Sequence, residues 1–332
     1  MIEIAEVDPH DDAALRAWHA ASLAGGTAGR PAAVVETFPA LARSLREPGP
    51  HLRRLPVAAV EAGTVLGALL LELPLTENRQ VAQLGIAVPP EHRRRGVGAA
   101  LWAAARAAAD GRTVFQAEVA VPAGQTVATW PGALFARRLG FASRHVEDHL
   151  RLALPAAEDL LDRLAAAATG RAAGYRVVSW AGPCPEEHLP AYAAMRAAMS
   201  REVPVGELDR AAVEYDVHRL RAEEQRLAAT YLSVVSLART RDGEPAGYTL
   251  CYLDRKDRSN AKQDDTFVFA RHRGHRLGVL LKVANLRQLG RHGAERRWLH
   301  SWTAESNAPM RAVNDRFGFR MVEQLHEYEL AT

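Results

Sequence analysis

The sequence predicts an α/β (α+β) protein made of two tandem domains of one design, each a mixed, mostly antiparallel β-sheet flanked by helices. Three observations lead there. The chain has 332 residues, 48% hydrophobic and 24% charged, which suits about two globular domains. A strand, a basic glycine-containing turn and a helix occur in that order twice, roughly 180 residues apart, which is about one domain length. In each half, two β-rich runs meet at a glycine turn and read as a hairpin.

The elements follow in order. Residues 2–7 read as an opening strand, and 11–23 carry helical periodicity. Strands over 55–60 and 64–73 flank Glu61-Ala62-Gly63. A strand beginning at Val81 runs into Arg93-Arg94-Arg95-Gly96-Val97-Gly98, where a helix starts. A second strand covers 113–121, a short helix over 135–139 ends at Gly140-Phe141, and a strand over 143–154 closes the half. The second half repeats this plan with a strand over 175–180, a helix over 186–199 and strands over 230–239 and 246–253. Its next strand, from Thr266, leads into Arg273-Gly274-His275-Arg276-Leu277-Gly278 and a helix. A strand over 297–303, a helix over 310–317 before Gly318-Phe319 and a strand over 320–330 complete it. Between the halves, Leu160, Leu161 and Leu164 mark an amphipathic linking helix, and 169–174 is a flexible exit. The expected division is 1–154, a linker over 155–174, and 175–332.

Composition excludes several classes of function. Forty-two Lys and Arg against 39 Asp and Glu give a net charge of only +3, with the arginines spread along the chain. That argues against a nucleic-acid partner. No apolar run approaches the roughly 20 residues of a bilayer span, so no membrane partner is expected. The N-terminus has no basic segment leading into an apolar core, so a cytoplasmic location is expected. Two cysteines, Cys184 and Cys251, are too few for a disulfide framework or a zinc site. With no HExxH and no GxSxG, neither a metal nor a serine nucleophile is expected.

The basic turns carry the chemistry. A helix start offers unpaired N–H groups and partial positive charge, which suit an anion. Glycines there let the backbone come close to it. The pattern is neither a Walker loop nor a dinucleotide fingerprint.

Arg93-x-x-Gly96-x-Gly98, followed by a second strand and a Gly-Phe helix and repeated in the same order, resembles the acetyl-coenzyme A signature of the GNAT superfamily of N-acetyltransferases. Arg273 and Gly278 match the ends of the signature in the second half, with Arg276 at the inner glycine position. Its side chain could crowd a pyrophosphate or turn outward to pair with a phosphate. The segment from Asn307 to Phe319 resembles the family's Asn-to-Gly-Phe helix, and Ala133 to Phe141 is a weaker version. The double layout is similar to that of mycothiol synthase and other two-domain acetyltransferases.

The resemblance implies acetyl-CoA as co-substrate, no metal, and direct transfer of the acetyl group to a primary amine of a small molecule or peptide. It assigns coenzyme binding to Val88, Arg93, Arg94, Arg95, Gly96, Val97, Gly98 and Ala99 in the first half. In the second it assigns Val268, Arg273, Gly274, His275, Arg276, Leu277, Gly278 and Asn307. Backbone near Val88 and Val268 would stabilise the thioester oxygen. The tyrosine that often protonates the leaving thiolate is replaced by Ala136 and Asn314.

The amine must lose a proton to a base. Asp264 and Asp265 sit together in the second half, where adjacent strand residues should point to opposite faces; Asp265 is the first choice. Glu72 and Glu118, in apolar strands of the first half, are the others. One half is expected to be catalytic and the other degenerate or structural, and which is which stays open: the first has the better coenzyme turn, while the better Asn-to-Gly-Phe helix and an acidic base candidate favour the second. A monomer with pseudo-dimeric halves and a homodimer are both compatible with the repeat. The alternative function is a non-catalytic acyl-CoA-binding or sensing protein.

Overall fold

The computed structural model describes residues 1–332. In chain order the elements are β1 (Glu3–Glu6), α1 (Asp12–Thr27), α2 (Phe38–Arg46), β2 (Leu52–Glu61), β3 (Thr64–Pro74), β4 (Val81–Ala87), α3 (Val97–Ala108), β5 (Val114–Pro122), α4 (Pro131–Arg138), β6 (Ala142–Ala153), α5 (Glu158–Thr169), β7 (Tyr175–Ala181), α6 (Leu189–Glu202), α7 (Val217–Ala228), β8 (Tyr231–Thr240), β9 (Pro245–Asp254), β10 (Asn260–Val268), α8 (Leu277–His292), β11 (Trp298–Ala304), α9 (Ala308–Phe317) and β12 (Arg320–Ala331). Short 3₁₀ turns precede the two basic turns, at Pro90–His92 and Ala270–His272. Side chains set several helix starts. Asp11 accepts from the Ala13 and Ala14 amides, Asp216 from Arg219, and Asn307 from Met310, each filling an orphan donor of the first turn. No helix is long and apolar enough to cross a membrane.

The chain divides into two compact units. The first comprises Met1–Val146, Val205–Ala211 and Glu323–Thr332; the second comprises Glu147–Pro204 and Ala212–Val322. In the first unit the strands run in the order β1-β2-β3-β4-β5-β12. All neighbours are antiparallel except β4 with β5. One sheet face packs on α3 and α4 through Leu69, Leu71, Leu101, Trp102, Phe115, Phe141 and Tyr328. The other packs on α1 and α2 through Leu15, Trp18, Leu41, Leu45 and Ala58. Trp18 satisfies its buried indole N–H on the Val57 carbonyl at 2.9 Å.

The second unit repeats the plan with order β6-β11-β10-β9-β8-β7, and its parallel pair is β10 with β11. Leu150, Leu286, Leu299, Phe317 and Phe319 fill the α8 and α9 side. Tyr192, Met195, Leu220, Val235, Tyr248 and Phe267 fill the α6 and α7 side. Covering both faces is what lets a parallel pair sit inside each sheet.

The closing strands lie where the sequence places them, but their partners are exchanged. β12, the end of the chain, pairs with β5 from Glu323↔Pro122 to Ala331↔Val114. β6 instead pairs with β11 from Ala153↔Trp298 to Glu147↔Ala304. Each unit is therefore finished by a strand from the other half of the sequence. The segment Val205–Ala211 belongs to the first unit as well. There Gly206 packs so tightly on Arg144 and His145 that a Cβ would fall 2.4 Å from the Arg144 carbonyl oxygen.

Candidate active site

Each sheet opens at its parallel pair. β4 is laddered to β5 from Val81↔Val114 only to Leu84↔Ala117, although both strands continue. β10 is laddered to β11 from Asn260↔Trp298 only to Gln263↔Ser301. Beyond these points, backbone N–H and C=O groups face a gap, not a strand. Val88 and Val268 lie at the far ends of these strands. α1 passes directly over the first of them, since a Cβ on Gly25 would come 2.6 Å from the Val88 nitrogen.

The basic turns stand at the mouths of the wedges. Arg93 folds back, its Nε donating to the Val88 carbonyl at 2.9 Å, and Arg273 does the same to Val268 at 3.1 Å. The signature arginines thus hold the turn to the strand. Left-handed backbone follows at Arg94 (φ 64°) and Gly96 (φ 86°), and at Gly274 (φ 85°) and Arg276 (φ 58°). No atom lies within 4 Å of where a Cβ on Gly96 or Gly274 would stand. Open, left-handed glycine backbone before a helix N-terminus fits a pyrophosphate. Val97 and Leu277 begin α3 and α8 and are buried, and Ala99 follows in the first turn of α3.

The two turns differ in their surroundings. Gly98 lies against Phe135 of α4, whose ring would stand 3.1 Å from a Cβ added there, whereas Gly278 has only Val313 at 3.9 Å. Arg95 pairs with Glu61 at 2.6 Å. In the second turn, Arg276 donates Nη1 to the Ala167 carbonyl at 2.8 Å, His275 Nδ1 lies 3.0 Å from the Arg171 carbonyl, and Arg273 pairs with Glu202. Arg276 is therefore turned toward the end of α5. Asn307 holds the start of α9.

The carboxylates meet on β10. Its register with β9 slips between Gln263 and Thr266, so Leu250 alone faces Asp264 and Asp265, a β-bulge. Alternation between faces fails here. Asp265 Oδ2 accepts from the Tyr248 hydroxyl at 2.5 Å and lies 3.5 Å from Nε of Arg196 on α6. Asp264 answers electrostatically to the same Arg196, to Asp265 and to Glu223. Arg196, only 8% exposed, also reaches Tyr215 at 3.2 Å and Glu223 at 3.4 Å. Asp264 stays accessible to solvent, yet protein surrounds it closely. Burial, joined by the negative charge of Asp265, pushes its carboxyl up to about 7. A cavity of about 60 Å³ adjoins this cluster, lined by Tyr192, Arg196, Glu223 and Tyr252 among others.

Trp302, one residue past the last β10–β11 ladder pair, stacks on His149 at 4.4 Å. His149 Nε2 lies 2.9 Å from His300 Nδ1, and His300 Nε2 lies 2.9 Å from Asn260 Oδ1. Asn260 uses its amide N–H on Asp257 at 2.8 Å. That leaves its oxygen to accept from His300 and makes His149 the donor to His300. Burial and the neighbouring His149 push His300 down to about 3.

The first-half candidates lie elsewhere. Glu72 on β3 is held by Arg54 at 2.8 Å. Glu118 is exposed on β5, just beyond the last β4–β5 ladder pair and opposite Glu327. Ala136 is buried in α4. Asn314 is fully buried in α9 and donates to Thr303 Oγ1 at 3.0 Å. Tyr328 is a core residue of the first unit.

Arg196, Glu223, Tyr215 and Tyr248 were not legible from the sequence, because they lie on other elements that only the topology brings to β10. The Asp264-Asp265 pair was visible, but the bulge that turns both the same way was not.

The model of the acetyltransferase (GNAT) family matches residues 28–141 and 206–319, more than half of the chain. Among solved structures, a tandem GNAT protein from the clavulanic acid biosynthesis pathway matches over 100% of this chain and 98% of its own, with 28% identity and a TM-score of 0.80. A GCN5-related N-acetyltransferase from Sphaerobacter thermophilus matches over 99% and 95%, with 14% identity and a TM-score of 0.66. A glucosamine N-acetyltransferase region of a fungal multi-domain β-N-acetylglucosaminidase shares 13% identity and a TM-score of 0.66, over 99% of this chain and 38% of that one. No curated protein matches the sequence. Two splayed sheets, two anion-ready turns and the doubled family match lead to one conclusion: the chain belongs to the acetyltransferase (GNAT) family.

Proposed function

We propose that the protein is an acetyl-CoA-dependent N-acetyltransferase that acetylates a primary amine of a small molecule or peptide, with the second unit as the catalytic one. The observation that carries this reading is the β10 bulge. It places an accessible carboxyl, raised to about 7, beside the open wedge of the second sheet. β4 of the first sheet has Gln83, Leu84, Gly85 and Ile86 in an unbroken register.

Acetyl-CoA supplies the acetyl group as a thioester. The amine nitrogen bonds to the acetyl carbon as the carbon–sulfur bond breaks, and coenzyme A leaves as a thiolate that takes its proton from solvent. The turn backbones at Gly96 and Gly274 hold phosphate. Asp264 takes the proton from the incoming ammonium, a role that favours a group titrating near working pH. Asp265, fixed by Tyr248 and Arg196, stays in place and keeps the Asp264 carboxyl basic. Trp302 stands on β11 just past the last ladder pair, with His149 of β6 stacked behind it.

The test uses Gly96→Asp and Gly274→Asp. Aspartate tolerates left-handed backbone better than most residues, and both sites have open space for its side chain. Its charge repels phosphate. Calorimetric titration with acetyl-CoA should show each site lost with its own variant, with melting curves as a control. Asp264→Asn should keep acetyl-CoA affinity and lose turnover on a panel of amines by about a hundredfold. Full turnover in Asp264→Asn removes it as the base, and absence of acetyl-CoA binding removes the whole reading.

A non-catalytic acyl-CoA-binding role is the second reading. It is favoured by Ala136 and Asn314, both buried, where a tyrosine would serve the leaving group. It predicts binding with no turnover over any amine.

A further inference from the structure

A bulge gives one strand an extra residue and leaves part of its backbone outside the ladder. In β10 that stretch is Asp264 and Asp265, opposite Leu250 alone. Its carbonyl is nevertheless accounted for. The Asp265 oxygen accepts from Gln263 Nε2 at 2.9 Å and from the Thr249 hydroxyl at 3.0 Å. Gln263 Nε2 also donates to the Leu250 carbonyl at 2.7 Å. One side-chain amide thus bridges both strands across the bulge, its two N–H groups shared among the Leu250 and Asp265 carbonyls and the Thr249 hydroxyl oxygen at 2.9 Å. Gln263 and Thr249 are 5% and 0% exposed.

The same amide is anchored from behind. Cys251 Sγ lies 3.5 Å from Gln263 Oε1, and Asn285 of α8 donates to that sulfur at 3.1 Å. Asn285 in turn accepts from the Ser236 hydroxyl at 3.1 Å. This buried polar network runs from the bulge into α8, whose N-terminus carries the second basic turn. The unbulged β4 gives the contrast, since its register with β3 is continuous from Ala68↔Ala87 to Glu72↔Gln83.

We propose that Gln263 and Thr249 are positioning residues that hold the β10 bulge, and with it both Asp264 and Asp265, toward the α6 and α7 side of the second sheet. In a regular strand, one of two adjacent carboxylates would point to the opposite face. That face is the apolar packing of Leu286, Phe317 and Phe319 under α8 and α9, where an unpaired carboxylate is costly. The bulge removes this conflict, and the two donors make the bulge the stable alternative. The inference rests on Asp264 as the base for its catalytic meaning, but the geometry it describes can be read without activity.

The experiment compares Gln263→Met, Thr249→Val and Thr249→Ser in the full chain. The first two keep shape and remove the donors; the third keeps the hydroxyl. Carbon-13 NMR of the aspartate carboxyls follows the titration of Asp264. Gln263→Met and Thr249→Val should move its midpoint by about one pH unit or more. Against the most active amine of the panel, kcat should fall about tenfold or more. Acetyl-CoA affinity should hold. Thr249→Ser should titrate as the parent does. An unmoved Asp264 midpoint in folded Thr249→Val overturns the proposal, and so does an equal shift in Thr249→Ser. Should Gln263→Met not fold, Thr249→Val and Thr249→Ser decide alone. If Asp264→Asn retains full turnover, the base assignment fails, and the midpoint in Thr249→Val still decides whether these residues hold the bulge.

Discussion

Lys282 of α8 holds its ammonium 5.4 Å from the centre of the Phe319 ring. It is 3% exposed, and no carboxylate lies within ion-pair distance of it. In the first unit Trp102 of α3 makes the matching contact, edge-on to Phe141 at 5.4 Å. A cation thus stands where the repeat has an indole. Burial pushes Lys282 down to about 8 from an ordinary value of 10.5. Below that pH the folded chain must keep a buried charge. Between about 8 and 10.5 it gives up its proton while the unfolded chain retains one, so this residue's contribution to stability improves as pH rises. Lys282→Met should therefore stabilise the protein at pH 7 by about 2 kcal/mol. The advantage should shrink above pH 10, as read by urea unfolding across pH.

Asp264 has the opposite dependence. Its folded carboxyl titrates near 7, above the ordinary value of 3.8. Below about pH 4 it is protonated in both states. As pH rises, the unfolded chain loses the proton first, so stability falls until about pH 7 and then levels. Asp264→Asn should leave melting unchanged at pH 4 and raise Tm at pH 8. Solvent reaching the side chain keeps that gain small, about 2 °C. Calorimetric melts at the two pH values check it.

The glycines at the two helix starts should respond differently to a methyl group. At Gly278 there is room, with Val313 3.9 Å away, so Gly278→Ala should stabilise by about 0.5 kcal/mol through helix propensity. At Gly98 the Phe135 ring is 3.1 Å from the added carbon. Gly98→Ala should lose most of that benefit, and Gly98→Val should destabilise by about 1–2 kcal/mol. Thermal denaturation of the three variants separates the cases.

Glu323 on β12 is 1% exposed and is gripped by Arg30 through Nε at 3.0 Å and Nη2 at 2.8 Å. Removing one partner of a buried pair leaves an uncompensated charge. Arg30→Met should cost about 3 kcal/mol, and Arg30→Met combined with Glu323→Gln should recover a substantial part. Chemical denaturation of the single and double variants tests this coupling.

Much of this fold was legible because its signals are local. β-rich runs over β2, β3, β8 and β9, meeting at glycine turns, placed the hairpins within a few residues. Gly96, Gly98 and Arg93 placed the first basic turn between strand and helix. The exchanged strands were not legible. β6 and β12 alternate in the same way whichever edge they join, and pairing Glu323 with Pro122 is a contact across two hundred residues. The bulge was hidden for a related reason. Asp264-Asp265 reads as two positions of opposite facing until the buried Gln263 and Thr249 are seen to hold the extra residue. Arg196 lies on a helix whose polar residue is buried by tertiary neighbours alone, and no periodicity in 189–202 announces that.

The pairing of β12 with β5 also governs how this molecule can be made. The inner edge of β5 emerges from the ribosome near residue 122, and the strand that covers it begins at Glu323. At about 5–20 residues per second, the edge stays uncovered for some 10–40 seconds of synthesis. The nascent first unit is therefore held short of completion until β12 has been synthesised. Stalled or truncated products carry an open strand edge, which is a template for aggregation. Cutting the gene between its two repeats would not release two working proteins but two incomplete sheets.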